Sequence, residues 1–292
     1  MPASPPPISR FGHSQPARGG SPNAAVAFIG GGNMASAFIG GLLRQGLQAS
    51  RIEVVEPHEP TRERLASQFG IQAQATPGSA LARCALVVWA VKPQIFKEAA
   101  LQTRFHVKQA LQLSVAAGIR YESIEHWLGN DRVVRAMPNT PALVGKGMTA
   151  LFARPAVTGD DRMEIDRVIG TTGEYLWLDD ETQLDAVTAL SGSGPAYVYY
   201  FIESMIEAGV DMGLPREQAH KLAVGTFVGA SDLAKHSSEP PEILRQRVTS
   251  KGGTTYAALT SMEQDRLGLL FRRAMQAARQ RAKELGDEFG SA

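Results

Sequence analysis

The sequence predicts an α/β protein: a doubly wound parallel sheet in the N-terminal part, followed by an all-α C-terminal domain. Three observations carry this expectation. Short apolar runs of β type alternate with helical patterns between Ala24 and Leu178, as in a parallel sheet covered by helices on both faces. The first such run passes straight into a glycine cluster and then into a helix pattern. From Asp179 onward the strand signal stops and helical periodicity takes over. These features divide the chain into a tail at 1–23, a sheet domain at 24–178 and a helical domain at 179–292.

A chain of 292 residues with 43% hydrophobic content buries a substantial core in two domains. The formal net charge of +1 offers no global attraction to nucleic acid or to a membrane surface, so neither is expected as a partner. Cys84 is the only cysteine and lies in an apolar run, which excludes an intrachain disulfide and a cysteine metal cluster. It reads as a buried structural thiol. The six histidines show no paired ligand spacing, and no metal site is expected. Residues 1–23 are rich in Pro, Gly and Ser, with Arg10 and Arg18 and no acid, a composition that predicts disorder. A transit peptide would need an amphipathic helix that Pro5-Pro6-Pro7 prevents. The apolar run from Ala24 to Leu43 is interrupted by Gly30-Gly31-Gly32-Asn33, which argues against a membrane span. The expected location is the cytoplasm.

Ala24 to Ile29 is the first strand, apolar on both faces. It opens into Gly30-Gly31-Gly32-Asn33-Met34-Ala35, a G-x-G-x-x-A fingerprint, followed by Phe38, Ile39, Leu42 and Leu43 at helical spacing. Gly30 permits a tight turn and Gly32 lets the backbone approach a pyrophosphate. Ala35 keeps the helix close to the strand while the helix N-terminus faces the phosphates. Strand, glycines and helix occur in the order that a Rossmann-type dinucleotide site requires. A second strand, Ile52 to Glu56, ends in an acid at the distance where the adenine ribose sits. Glu56 is either an acceptor for the ribose 2′-OH, which favours NADH, or a solvated turn residue before Pro57. His58, Arg62 and Arg64 follow closely and offer phosphate contacts.

Further strands are expected at Ala85 to Val91, Ala110 to Val115 and Arg132 to Met137, with a helix at Tyr121 to Leu128. Three small or polar segments follow strands: Ala90-Val91-Lys92-Pro93, Ala116-Ala117-Gly118, and Met137 to Pro141. Ligands bind at the carboxyl ends of strands in such sheets, so their recurrence on one rim favours a cofactor and substrate cleft. Lys92 either adds positive charge there or is a strand-end lysine in solvent. Gly147 to Ala153, a helix after Gly159, and Glu174 to Leu178 complete the domain.

In the helical domain, Leu184 to Leu190 is followed by Ser191-Gly192-Ser193-Gly194-Pro195, read as a kink or a ligand contact. Tyr197 to Val210 is helical, with Tyr197, Tyr199, Tyr200 and Phe201 on several faces, the pattern of a helix buried at a subunit interface. Helices are also expected at Arg216 to Lys235, Pro241 to Val248 and Met262 to Leu285. Between the last two lies Val248-Thr249-Ser250-Lys251-Gly252-Gly253-Thr254-Thr255, which sets two glycines and four hydroxyls before an apolar helix start. Exposed N–H groups there suit a carboxylate. The alternative is an ordinary Ser- or Thr-capped helix.

On these residues the chain resembles the pyrroline-5-carboxylate reductase family from about Ala24 to the C-terminus. The matching stretches are Ile29 to Ala35, Ala90 to Pro93, Met137 to Pro141, Asp185 to Tyr197 and the segment around Gly252-Gly253-Thr254-Thr255. The resemblance implies a helical domain that forms an intertwined homodimer, with five dimers closing into a ring. It implies hydride transfer from NADPH or NADH to 1-pyrroline-5-carboxylate, giving L-proline. Gly30, Gly31, Gly32, Asn33, Met34 and Ala35 would hold the pyrophosphate, and Ala90, Val91, Lys92 and Pro93 with Ala116, Ala117 and Gly118 the nicotinamide half. Gly253, Thr254 and Thr255 would hold the substrate carboxylate through backbone N–H groups. The Thr255 hydroxyl would sit near the ring nitrogen, and Glu181 matches an acid beside the substrate ring. Lys251 stands where the family usually has Pro or another small uncharged residue, and Glu56 where Ser, Asn or Arg is common. Residues 75–79 lack the Asn that many members place against the cofactor. Two other readings share the nucleotide fingerprint: a related imine or β-hydroxyacid dehydrogenase, and a nonenzymatic nucleotide sensor.

Overall fold

The computed structural model describes residues 24–290; the tail at 1–23 lies outside the described residues. Strands β1 (Ala25–Ile29), β2 (Ile52–Val55), β3 (Cys84–Trp89), β4 (Leu111–Ser114), β5 (Val133–Met137), β6 (Gly147–Ala153) and β7 (Gly173–Trp177) form one sheet in the order β2-β1-β3-β4-β5-β6-β7. Helices α1 (Asn33–Arg44), α2 (Glu59–Phe69), α3 (Pro93–Thr103), α4 (Tyr121–Leu128) and α5 (Gly159–Ile169) cover its two faces.

Every residue of β1 is buried, because both faces carry helices. Val26 and Phe28 point to a core shared with Phe38, Ile39 and Leu42 of α1 and Ile165 and Val168 of α5. Ala25, Ala27 and Ile29 point to the opposite core, with Phe96 of α3 and Ile124 and Trp127 of α4. Burying one such large side chain contributes about 1.5–3 kcal/mol. Cys84 is buried as expected, and burial, with Glu53 nearby, pushes its thiol up to about 11.

The expected doubly wound parallel sheet is present, with one antiparallel pairing in it. Strands β1 to β5 run parallel and β6 pairs with β7 in parallel, but β5 and β6 are antiparallel. Only residues 138–146 separate β5 from β6, fewer than a parallel crossover needs. The chain therefore turns back on itself there and restarts the parallel pattern through α5.

The helical half comprises α6 (Gln183–Val187), α7 (Gly194–Asp211), α8 (Arg216–His236), α9 (Pro241–Arg247), α10 (Thr254–Gln264) and α11 (Leu267–Phe289). The single helix expected from Met262 to Leu285 is two helices. Arg266, at φ 54, is the one non-glycine residue at positive φ among the described residues, and it breaks the run between α10 and α11. The kink expected at residues 191–195 is a π-helical turn over Thr188–Gly192 that joins α6 to α7. Ser193 N–H donates to Thr188 O at 2.8 Å, the longer reach of a π turn. Among the described residues no helix is long and apolar enough to cross a membrane.

Candidate active site

The strand ends line up across the sheet. Ile29 pairs with Val55 and with Trp89, Trp89 with Ser114, and Ser114 with Arg135. The loops that follow these five strands therefore leave one edge. Between β1 and β3 the winding reverses direction, which opens a crevice at that edge.

The three glycines do different work in that crevice. Gly30 adopts φ 95, and its N–H donates to Val55 O at 2.8 Å. A Cβ on it would stand 2.5 Å from Ala90 O, so glycine is required where β1 and β3 diverge. Gly31 N–H donates to Glu56 Oε2 at 2.8 Å. Gly32 is the N-cap of α1, no side chain caps the helix, and beyond its own chain neighbours no heavy atom lies within 4 Å of where its Cβ would be. This open space beneath uncapped N–H groups of Asn33, Met34 and Ala35 fits a pyrophosphate. Ala35 itself is buried in the core behind the helix start.

The Glu56 carboxylate has partners within the protein. Its Oε1 accepts from His58 N–H at 2.9 Å while Oε2 holds Gly31, so the carboxylate braces the glycine loop. Arg64 adds a second brace by donating from Nη2 to Gly31 O at 3.0 Å. Arg62 donates to Glu56 O at 3.1 Å and Pro57 O at 2.6 Å. The sequence spacing placed an acid here but gave no sign that it binds the loop.

On the other side of the crevice, Val91 Cγ1 would stand 3.1 Å from a Cβ on Gly30. Lys92 is exposed at the N-cap of α3, and Pro93 opens that helix. Ala116 N–H donates to Ser114 Oγ at 3.3 Å, Ala117 is half-buried, and Gly118 adopts φ 80.

Two segments that looked separate in the sequence are joined. Pro195 has no N–H for the carbonyl of Ser191. That oxygen accepts instead from Asn139 Nδ2 at 3.1 Å, while Asn139 Oδ1 accepts from Met148 N–H at 2.9 Å. Asn139 thus ties the β5–β6 connection to the π turn at the entrance of the helical half.

Glu181 lies where β7 leads into α6. Its Oε1 accepts from Arg135 Nη1 at 2.6 Å and from Tyr121 N–H at 2.7 Å. Arg135 and Glu181 are both largely buried. Burial lowers the Arg135 guanidinium pKa, and the Glu181 carboxylate opposes that shift. Burial raises Asp185, against the pull of Arg120 and Arg135. Removing one partner of such a pair leaves an uncompensated charge and costs about 3–5 kcal/mol.

At the far end of the helical half, Gly252 adopts φ 75 and Gly253 N–H donates to Ser250 O at 3.0 Å. Gly253 is the N-cap of α10 and no side chain caps it. The reading as an ordinary Ser- or Thr-capped helix therefore does not hold, and the amide groups at Thr254 and Thr255 point out of an uncapped helix start. Lys251 and Thr254 are exposed and Thr255 is half-buried. Lys251 lines a groove with Arg245, Thr249, Tyr256 and Glu263. No hydrogen bond or ion pair among the described residues joins residues 248–255 to the glycine loop.

Comparison with known proteins places this geometry in a family. The family model described as pyrroline-5-carboxylate reductase dimerisation matches residues 181–285, and that described as NADP oxidoreductase coenzyme F420-dependent matches residues 25–118. The pyrroline-5-carboxylate reductase of Pseudomonas aeruginosa is 42% identical over 91% of this chain and 98% of its own. A solved pyrroline-5-carboxylate reductase from Coxiella burnetii is 36% identical, with a TM-score of 0.83 over 90% of this chain and 98% of its own. A Plasmodium falciparum pyrroline carboxylate reductase solved with NADP bound is 29% identical, with a TM-score of 0.83 over 91% of this chain and 100% of its own. A sheet half with a nucleotide cradle, followed by a helical half that matches a dimerisation domain, makes this chain a member of the pyrroline-5-carboxylate reductase family.

Proposed function

We propose that the chain reduces 1-pyrroline-5-carboxylate to L-proline at the carboxyl edge of the sheet. The observation that carries this reading is the open cradle at Gly32, at the switch point of a chain whose relatives bear that activity in their names. Bound there, NADPH or NADH supplies the hydride. Gly30, Gly31, Gly32, Asn33, Met34 and Ala35 hold the pyrophosphate, with Glu56 fixing the Gly31 amide. Ala90, Val91, Lys92 and Pro93 with Ala116, Ala117 and Gly118 line the nicotinamide half.

A protonated cyclic imine is already electrophilic, so the protein's tasks are to position it and exclude water. In this reading the N–H groups of Thr254 and Thr255 receive the substrate carboxylate, while Gly253, whose own N–H is taken by Ser250 O, contributes as the N-cap that leaves them free. The Thr255 hydroxyl meets the ring nitrogen, and Lys92 adds positive charge beside the anionic groups. Glu181, with Oε1 committed to Arg135 and Tyr121, contributes by fixing α4 and β5 beside the ring.

The same reading includes a homodimer formed through the helical half, five dimers closing into a ring, and a cytoplasmic location. Exposed aromatic side chains on α7 support the dimer, since Tyr199 and Tyr200 are 63% and 67% exposed in the single chain. The test follows NADPH and NADH absorbance in parallel with 1-pyrroline-5-carboxylate as substrate. Substrate-dependent oxidation of at least one is expected; oxidation of neither contradicts the proposal.

A further inference from the structure

The loop at residues 116–118 is the side of the crevice least explained by its own domain. It connects β4 to α4, yet much of what touches it comes from the other half of the chain. Gly118, at φ 80, lies so close to α11 that a Cβ on it would stand 3.1 Å from Gly286 N and 3.3 Å from Leu285 C. In the reverse direction, a Cβ on Gly286 would stand 2.7 Å from Gly118 O. Two backbones meet here with no side chain between them, and glycine is needed on both sides.

Polar contacts reinforce the approach. Arg120 Nη2 pairs with Asp287 Oδ1 at 2.9 Å, and Ser123 Oγ donates to Gly290 O at 2.6 Å. Phe289 packs against the core cluster that contains Trp127 and Ile124 of α4. From below, Glu181 accepts the N–H of Tyr121, the first residue of α4. The loop and the start of α4 are thus gripped at Gly118, Arg120, Tyr121 and Ser123. All of these grips come from residues beyond the sheet.

We propose that the last turns of α11, through Gly286 and Asp287, are a positioning element that sets the loop at residues 116–118 against the nicotinamide half of the cofactor. This rests on the reading above that the loop lines that half. Gly286 and Asp287 touch no reacting atom; they act through Gly118 and Arg120. A helix of 23 residues spans about 34 Å, so α11 carries this grip from the break at Arg266, beside α10, to the rim of the sheet. Disturbing the far end of α11 should therefore harm the nicotinamide end of the site and spare the adenine end. In the reading above the phosphate and adenosine side rests on the glycine loop, which Glu56 and Arg64 brace through Gly31.

The test uses the full chain with Gly286→Ala and, separately, Asp287→Asn. Binding of NADPH is compared with binding of 2′,5′-ADP, which keeps the phosphorylated adenosine and lacks nicotinamide. Kinetic constants are measured in the same preparations. Gly286→Ala is expected to weaken NADPH or lower kcat by about ten-fold, because displacement near the reacting centre is costly. The dissociation constant for 2′,5′-ADP should stay within about two-fold. Asp287→Asn, which keeps shape and loses charge, should show the same selectivity at about three-fold, with partial rescue in Asp287→Glu. Should Gly286→Ala fail to fold, Asp287→Asn carries the test. Unchanged NADPH binding and kcat in both variants, or equal weakening of NADPH and 2′,5′-ADP, overturns the proposal. The binding comparison needs no turnover. An inactive wild-type enzyme would count against the reductase reading, while the binding selectivity would still decide the role of α11.

Discussion

The two halves of this chain bury their apolar residues in opposite ways. In the sheet half, Phe28, Phe38 and Trp89 are fully buried between the sheet and its own helices. In the helical half, Tyr199, Tyr200 and Leu233 stand 63%, 67% and 72% exposed, and the local core cluster on α7 and α8 is confined to Ile206, Ala219 and Ala223, with Ile202 against it. A sheet with helices on both faces closes its own core. Long helices with apolar residues on several faces do not, and they need a further surface to pack against. The first half therefore builds the glycine-loop cradle by itself, whereas the second half makes sense as part of an assembly, in keeping with its match to a dimerisation domain.

The largest break of this contrast should come from Gly30→Ala. Its Cβ would clash with Ala90 O at a backbone angle that suits glycine. Strain of this kind costs about 1–3 kcal/mol, so NADPH binding should weaken by up to roughly 100-fold. Titration by cofactor fluorescence measures it, and light scattering should show the oligomer intact. The mirror-image variant is Tyr199→Arg with Tyr200→Glu. It should raise the dimer dissociation constant by roughly 100-fold while NADPH binding persists. A wild-type chain that sediments as a monomer would remove the basis of the contrast.

Thr255→Ala addresses the helical half's chemistry rather than its packing. Turnover should fall by about ten-fold or more, with the NADPH dissociation constant unchanged; equal turnover would remove Thr255 from the reaction. The smallest effect belongs to a sheet-half detail. Burial pushes Asp161 up, but hydrogen bonds from Arg132 and from Thr158 in the capping box outweigh it and hold the carboxyl below the usual range. A depressed folded pKa stabilises above the unfolded value and loses that contribution as pH falls through the folded one. Asp161→Asn should therefore cost about 1 kcal/mol at neutral pH, and the difference from wild type should start to shrink as pH falls into the ordinary carboxylate range and disappear only below the depressed folded value. Urea unfolding at several pH values checks both ends.

The sheet half was largely legible in the sequence because its signals are local. An apolar run, three glycines and a helix pattern at Gly30 to Ala35 state their own geometry, and the helix at Tyr121–Leu128 falls where its periodicity places it. What the sequence hid depends on chain returning from a distance. Nothing near Glu56 says that its carboxylate holds Gly31, and nothing near Asn139 says that it serves the carbonyl orphaned by Pro195. Gly286 and Asp287 look like ordinary helix residues until Gly118 and Arg120 are placed beside them. The reversal between β5 and β6 was in principle readable from the short connection at residues 138–146. The break at Arg266 was not, since a non-glycine residue at positive φ leaves no compositional mark.

The central claim is that a hydride held in the cradle of the sheet half reaches the imine carbon of a ring held by the helical half. It is tested most directly with NADPH carrying deuterium at both C4 positions and 1-pyrroline-5-carboxylate as acceptor. The proline formed should carry one deuterium, at Cδ. Proline without deuterium, or no proline while NADPH and substrate are both bound, would contradict the account.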